Sequence, residues 1–299
     1  MRCLITGCAG FIGSTLADRL LAEGHEVVGI DNLSTGRREN CDPEMRLVVG
    51  DIRDPEAIPH GDWQIVYHAA ASYKDGDEWE RDASTNVVGT INVVREAMRS
   101  AAKIVYFQTA LTYGQVEGPV RIDAPLDPHG SYAVSKTAGE QYIRDSGLPW
   151  ASLRLANMYG PRNLSGPVPT FFMRLAAGKP CTVVDTRRDF VYVADLVNLI
   201  ERVTESGMGV YHAASGNDQS ILDLYRQVVT SMGIEAPEPT LLPRGPDDAA
   251  SLLLDPTLTE AEFGWVASTP FATGIDQTVQ WYVANPPDTT YTHLKMPPS

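Results

Sequence analysis

Tyr132 and Lys136 stand four residues apart in a stretch whose composition favours a helix. On a helix, this spacing places both side chains on one face. A nearby ammonium and a positively charged cofactor ring would both favour tyrosinate, so the pKa of Tyr132 is expected to fall from its usual value of about 10. Tyr132 would then act as a general base near neutral pH. Thr109 follows the apolar run 105–107 and is expected to hold a substrate oxygen that faces Tyr132.

A glycine turn near the start of the chain predicts where the cofactor binds. It follows an apolar strand at 2–6 and precedes a helix. Gly7 permits a tight turn, Gly10 lets the backbone approach a pyrophosphate, and Gly13 lets the helix pack close to the strand. The start of the helix then offers unpaired N–H groups and a positive dipole end to the phosphates.

An acidic residue ends the next predicted strand and indicates which dinucleotide is preferred. That strand covers 26–30 and is followed directly by Asp31. A carboxylate at this position accepts hydrogen bonds from both ribose hydroxyls and repels a 2′-phosphate. The sequence therefore predicts NAD rather than NADP.

These residues must be positioned by an alternation of strands and helices. Strands are predicted at 2–6, 26–30, 46–50, 64–68, 103–107 and 150–154, and helices at 78–100, 130–145 and 195–205. Such alternation is typical of an α/β fold, here a Rossmann-type doubly wound parallel sheet with a smaller C-terminal substrate-binding lobe. The predicted NAD-binding domain is 1–160, joined by 189–206, and the lobe comprises 161–188 and 207–299.

Composition excludes several classes of function. A net charge of −14 over 299 residues argues against a nucleic-acid surface. No run of 18 apolar residues suggests a membrane span, and no signal peptide precedes the first strand, so a cytoplasmic location is expected. The four cysteines, like the histidines, lack metal-ligand spacing, so no metal is predicted.

Further segments fit a family pattern. They are the stretch from Asp31 to Gly36, the pair Asp51-Ile52, the run from His68 to Ala71, the single residue Asn86, the stretch from Arg154 to Pro161 and the stretch from Arg188 to Asp195. Together with the glycine turn and the tyrosine–lysine pair, they resemble the NAD-dependent nucleotide-sugar epimerase/dehydratase family of extended short-chain dehydrogenase/reductases. The stretches 71–75 and 108–111 resemble a branch of bacterial surface-polysaccharide (O-antigen) enzymes.

This resemblance implies a set of site residues. The catalytic residues are Thr109, Tyr132 and Lys136. The cofactor-binding residues are Gly7, Gly10, Phe11, Ile12, Gly13, Asp31, Asn32, Ser34, Thr35, Gly36, Asp51, Ile52, Ala69, Ala70, Ala71, Lys74, Asn86, Tyr132 and Lys136. The substrate-binding residues are Lys74, Thr109, Ala110, Leu111, Tyr132, Asn157, Pro167, Val168, Arg188 and Arg244. The resemblance also implies a UDP-linked sugar as partner and a homodimer formed by helices 78–100 and 130–145.

The resemblance implies a reaction through a 4-keto sugar. Dehydratases of the family carry an Asp-Glu pair after the catalytic threonine, and the decarboxylases carry a glutamate two residues after it. Here these positions are Ala110 and Leu111, which cannot transfer a proton. This favours a nucleotide-sugar 4-epimerase. A 4,6-dehydratase or decarboxylase with a relocated acid/base group, and a non-catalytic NAD-binding protein, remain the alternatives.

Overall fold

Fourteen strands and nine α-helices occur in the part of the chain that the computed structural model describes, residues 1–73, 78–116, 118–244 and 251–291. The strands are β1 (Arg2–Thr6), β2 (Glu26–Asp31), β3 (Arg46–Val49), β4 (Ile65–His68), β5 (Lys103–Thr109), β6 (Pro119–Val120), β7 (Trp150–Leu155), β8 (Asn157–Tyr159), β9 (Thr182–Val184), β10 (Arg187–Tyr192), β11 (Gly209–Ala213), β12 (Asp218–Ser220), β13 (Thr240–Leu242) and β14 (Ser251–Leu254). The helices are α1 (Phe11–Ala22), α2 (Trp79–Ala83), α3 (Thr90–Ser100), α4 (Gly130–Arg144), α5 (Pro167–Ala176), α6 (Val193–Ser206), α7 (Ile221–Met232), α8 (Thr257–Phe263) and α9 (Phe271–Ala284).

Seven parallel strands form the main sheet, in the order β3-β2-β1-β4-β5-β7-β11. From β1 the chain proceeds outward through β2 and β3, and then returns to the other side of β1 with β4. The order therefore reverses between β1 and β4, the position at which doubly wound sheets bind ligands. The predicted Rossmann-type α/β fold is confirmed.

Each face of the main sheet has its own apolar core because successive side chains of a strand point to opposite faces. In β1, Cys3 and Ile5 join the core beneath α1 and α6, whereas Leu4 joins the core beneath α3 and α4. The helices contribute Leu16 and Leu196 to the first core, among others. Burial on both faces is why the strands appear in the sequence as continuous apolar runs.

The predicted helix at 78–100 is interrupted in the structure. One π-helical turn, Ser84–Gly89, lies between α2 and α3. Such turns arise where a helix accommodates an extra residue, often at a functional site. A Cβ atom on Gly89 would lie 2.7 Å from Ile52, so the helix packs closely against the loop that follows β3.

The C-terminal region is divided differently from the predicted domain boundary. Residues 207–299 were assigned to the smaller lobe, yet β11 pairs with β7 at the edge of the main sheet. The reason is the apolar content of this strand: Tyr211 and Ala213 are buried in the core beneath α6. The lobe itself contains the sheet β12-β10-β14-β6, with β8 paired to β10, and helices α5, α7 and α9 around a third core.

No helix in the described ranges is both long and apolar enough to cross a membrane.

A buried ion pair connects α4 to the main sheet. Glu140 accepts a hydrogen bond of 2.6 Å from Arg154, and their side chains are only 8% and 6% exposed. Arg154 also donates to the Tyr113 hydroxyl at 2.7 Å, and Ser152 donates to Glu140 at 2.6 Å. This network fixes α4, which carries Tyr132, against β7 and the turn that follows β5.

Arg154→Met is expected to lower the free energy of unfolding by about 3–5 kcal/mol, because it leaves the buried Glu140 carboxylate without its partner. Urea denaturation measures this loss. The control is Arg121→Met, which removes the exposed ion pair with Asp123 and should change stability little. Equal effects of the two substitutions would contradict a structural role for the Glu140–Arg154 pair.

Candidate active site

A cavity of about 410 Å³ lies along the carboxyl edge of the main sheet. Strands β1, β2 and β5 end beside it, and the loops that follow them form its walls. The cavity extends into the lobe, where the start of α5 and a residue of β10, Arg188, complete its lining. The point of strand reversal between β1 and β4 therefore opens into this space.

The glycine turn closes as tightly as its sequence predicts. Gly7 has φ +72°, and a Cβ atom there would lie 2.7 Å from the Ala70 nitrogen. A Cβ atom on Gly13 would lie 2.2 Å from the Gly7 carbonyl oxygen. The first hydrogen bond of α1 runs from the Ser14 N–H to the Gly10 carbonyl at 3.0 Å, so the N–H groups before it have no partner within the helix. A cradle of this kind fits a pyrophosphate.

Two acidic residues line the cavity beside this cradle: Asp31, the last residue of β2, and Asp51, two residues after β3. The Asp31 carboxylate, 8% exposed, accepts hydrogen bonds from the N–H groups of Ala9 at 3.0 Å and Leu33 at 2.8 Å. Burial raises its pKa, and these two hydrogen bonds oppose that rise. Asp51 accepts from Asn32 at 2.9 Å, and its hydrogen bond with Arg53 lowers its pKa to about 2. The arrangement fits a nucleoside held by carboxylates.

Lys136 is 2% exposed and packs against the core of the main sheet. Its ammonium lies 3.8 Å from the centroid of the Tyr106 ring. Burial lowers the pKa of Lys136 to about 7, whereas the negative charge of Glu140 acts to raise it. Nearby, His68 shares hydrogen bonds with Thr6 at 2.7 Å and Thr90 at 2.9 Å, and burial lowers its pKa to about 3. His68 is therefore neutral at physiological pH.

The predicted lowering of the Tyr132 pKa is not found in the protein alone. Burial raises the pKa of Tyr132, and the charges of Tyr73 and Asp82 raise it further. The physical reason is that a phenolate loses its hydration in a buried position. The predicted shift therefore requires positive charges beside the phenol that outweigh desolvation.

The buried Lys136 makes stability depend on pH. In the unfolded chain a lysine has a pKa of about 10.4, so between pH 7 and 10 the unfolded state binds more protons at this position. The free energy of unfolding contributed by Lys136 therefore rises with pH across this window, by roughly 3–5 kcal/mol. Chemical denaturation of the nucleotide-free protein from pH 6.5 to 10 measures the rise, which Lys136→Met should remove.

The control for this experiment is Lys179→Met, because Lys179 is exposed. It should keep the wild-type pH dependence. A Lys136→Met protein whose stability changes with pH as steeply as the wild type would show that burial of the ammonium is not the cause.

Most predicted site residues line the cavity. They are Gly7, Gly10, Phe11, Ile12, Gly13, Asp31, Asn32, Ser34, Thr35, Asp51, Ile52, Ala69, Ala70, Ala71, Thr109, Ala110, Leu111, Tyr132, Lys136, Asn157, Pro167, Val168 and Arg188. The structure thus brings together residues that are up to 181 positions apart, from Gly7 to Arg188. Lys74 lies outside the described residues.

Three predicted residues have other positions. Asn86 is buried, and its amide bonds the backbone of Ser72 in both directions, at 2.8 and 2.9 Å, and the Ser135 hydroxyl at 3.0 Å. Its side chain therefore holds loop and helix together, and its contact with the cofactor stays a prediction. Gly36 lies behind Asp31, where a Cβ atom would come 2.9 Å from the carboxylate. Arg244 is exposed and is not among the described residues that line the cavity.

Other residues of the cavity were missed by the sequence analysis. The Tyr73 ring meets the Tyr132 ring edge-on, with centroids 6.3 Å apart. Arg162 lines the cavity with φ +68° and forms an ion pair of 2.7 Å with Asp18 of α1. Gln108 also lines it. The position of Gln108 at a strand end was a usable signal, whereas nothing local distinguishes Arg162.

Known proteins of one family are similar to this chain in sequence and in structure. The model of the NAD dependent epimerase/dehydratase family matches residues 3–213. The chain belongs to this family. Among relatives, it is 33% identical to the UDP-glucose 4-epimerase of Mycolicibacterium smegmatis, over 94% of this chain and 98% of that protein. A dTDP-glucose 4,6-dehydratase of Streptomyces niveus (30% identical) and a UDP-glucuronic acid decarboxylase 1 of Danio rerio (28%) also match.

Solved structures of family members are similar to the whole fold. The Bordetella bronchiseptica enzyme WbmH, in complex with NAD+, is 44% identical over 94% of this chain and 98% of that chain, with a TM-score of 0.89. The enzyme WbmG of the same organism, in complex with NAD and UDP, is 39% identical over 99% of both chains, with a TM-score of 0.90. The family is NAD-dependent, which confirms the predicted cofactor; the glycine cradle and the Asp31 carboxylate fit it.

Proposed function

We propose that the protein is an NAD-dependent nucleotide-sugar 4-epimerase whose substrate is a UDP-linked sugar. The observation that carries this proposal is the chemistry of the two positions after Thr109. Ala110 is 3% exposed and Leu111 is 45% exposed, and both line the cavity that contains Tyr132 and Lys136. Neither can transfer a proton. An epimerase needs no acid/base group there, whereas elimination or decarboxylation does.

One other carboxyl group acts electrostatically on Tyr132. It belongs to Asp82, which is 1% exposed and whose Oδ1 has no hydrogen-bond partner among the described residues. Asp82 is not among the described residues that line the cavity. The proposal therefore gives Asp82 no part in proton transfer to the sugar.

The chain's own residues have distinct roles in this proposal. The glycine turn and Asp31 would hold NAD, which would supply a hydride acceptor and donor for C4 of the sugar. Tyr132 removes the proton of the 4-hydroxyl and later restores it, while Thr109 holds the same oxygen. The ammonium of Lys136 stabilises the tyrosinate. Apolar neighbours such as Ala110 leave room for the 4-keto sugar to rotate.

The cavity contains arginine side chains that can bind phosphates, although the whole chain has a net charge of −14. Arg53, Arg81, Arg162 and Arg188 all line it. Guanidinium groups bind phosphate oxygens through paired hydrogen bonds. We propose that Arg188, on the lobe side, holds the diphosphate of the sugar nucleotide, and that Asn157 and the start of α5 at Pro167 contact the rest of the nucleotide.

The decisive experiment follows the products by proton NMR. The purified protein is incubated with UDP-glucose, UDP-N-acetylglucosamine, UDP-glucuronic acid and the GDP counterparts, without added reductant. An inverted coupling pattern at C4 is the expected result and identifies the sugar. A 4-keto-6-deoxy sugar or a pentose would instead establish a dehydratase or a decarboxylase.

We also propose a homodimer formed by α3 and α4. Val88, Met98, Val134 and Tyr142 each expose about half of their surface on these elements and the preceding turn. Val94 and Ala97, also on α3, belong to the protein's own core. Sedimentation equilibrium should give twice the monomer mass, and Val134→Glu should shift it towards the monomer.

A further inference from the structure

Gln108 is an unexplained polar residue in the wall of the cavity. It occupies the position before Thr109 in β5 and is 1% exposed. Among the described residues, its Nε2 atom has no hydrogen-bond partner. A buried amide donor without a partner is costly, so such groups are rare unless a ligand or an ordered water supplies the partner.

The direction of the Gln108 amide is determined by its neighbour. The backbone N–H of Thr109 donates to Oε1 of Gln108 at 2.9 Å. Since an N–H can bond only to the oxygen of the amide, the unpartnered end must be the NH2 group. The unpartnered group of Gln108, a residue of the cavity wall, is therefore a neutral hydrogen-bond donor.

The strand also determines the surroundings of this donor. Tyr106 and Gln108 are two residues apart in β5, so their side chains share the face covered by α4. The Lys136 ammonium lies over the Tyr106 ring, and Gln108 is the next residue of that face towards the cavity. Gln108 thus lies at the carboxyl edge next to Thr109, and it lines the same cavity as Lys136, where the sugar reacts in the proposed function.

We propose that Gln108 is a further substrate-binding residue, whose side-chain NH2 donates a hydrogen bond to an oxygen of the sugar close to its reacting carbon. This inference rests on the proposed function. An amide neither gains nor loses a proton at physiological pH, so it orients the hydroxyl or keto oxygen without competing with Tyr132 as a base.

Two substitutions separate donation by Gln108 from its structural bond to Thr109. Gln108→Glu keeps an oxygen for the Thr109 N–H and removes the NH2 donor when ionised, but a protonated carboxyl group donates again. Gln108→Leu removes both. The matched control is Gln64→Glu, because the Oε1 of Gln64 accepts the Arg2 N–H, also at 2.9 Å, at the opposite edge of the sheet.

Calorimetric titrations of the NAD-bound protein with UDP-glucose and with UDP alone test the proposal. At pH 8, Gln108→Glu and Gln108→Leu should bind UDP-glucose about tenfold or more weakly than the wild type, while UDP affinity and the Gln64→Glu protein are unchanged. As the pH falls to 5.5, Gln108→Glu but not Gln108→Leu should regain affinity relative to the wild type.

Other outcomes have definite meanings. Unchanged UDP-glucose affinity in both Gln108 variants would overturn the proposal. A loss seen instead in titrations of the nucleotide-free protein with NAD would also overturn it, since the amide would then bind the cofactor. Failure of the wild-type protein to bind UDP or any of the three UDP-sugars named above would overturn the proposed function, and this proposal with it.

Discussion

Tyr132→Phe should reduce sugar conversion by about a thousandfold while the protein retains NAD. In the proposed function, the substitution removes the phenol group that, as phenolate, takes the proton of the sugar 4-hydroxyl. It leaves the ring in place against Tyr73, with which it makes an edge-on contact at 6.3 Å. The measurements are the initial rate of epimerisation by proton NMR and the NAD content of the purified protein.

The control for this prediction is Tyr142→Phe. Tyr142 lies on the same helix, α4, and is 50% exposed. Its loss of a hydroxyl should leave the rate within about twofold of the wild type. If Tyr132→Phe keeps more than a tenth of the wild-type rate, another group must act as the base.

Gly13→Ala should lower NAD affinity by at least about a hundredfold. A Cβ atom at this position would lie 2.2 Å from the Gly7 carbonyl oxygen and 2.9 Å from its carbon. Both are backbone atoms, so relief requires the turn to open and the N–H groups at the start of α1 to move away from the pyrophosphate. Calorimetric titration of the nucleotide-free protein with NAD measures the loss, and thermal denaturation measures the accompanying destabilisation.

A second glycine of the same region distinguishes close packing from backbone strain. Gly24 follows α1 and has φ +77°, yet a Cβ atom there would have no neighbour within 4 Å among the described residues. Gly24→Ala should therefore destabilise the protein by about 1–2 kcal/mol without changing NAD affinity. Equal affinity losses in both variants would show that the turn responds to general strain rather than to the contact with Gly7.

The fold was predictable because its signals are local and repeat along the chain. Strands buried on both faces require continuous apolar runs, and parallel strands require intervening helices. The strand β11 was assigned to the wrong lobe because 209–213 is a short apolar run that no nearby motif connects to the main sheet. Only its pairing with β7 assigns it.

The cofactor side of the cavity was predictable for a related reason. Residues at the carboxyl ends of parallel strands meet at one edge of the sheet, whatever their separation in sequence. The proximity of Gly7, Asp31 and Thr109 could therefore be predicted from the sequence. Their functional roles remain predictions. Asn86 illustrates the limit: its type and position predict a cofactor contact, whereas its hydrogen bonds with Ser72 and Ser135 depend on segments distant in sequence.

The sequence by itself determined the α/β class, the dinucleotide cradle and the preference for NAD, because each depends on residue types at fixed spacing along the chain. Only the tertiary structure determined the pKa shifts and the hydrogen-bond partners of the site residues, because both depend on burial and on residues distant in sequence. Burial reverses the expected direction of the Tyr132 pKa, and it lowers that of Lys136 to about 7. It also leaves the amide of Gln108 without a partner, because whether a polar group is satisfied depends on every segment packed around it.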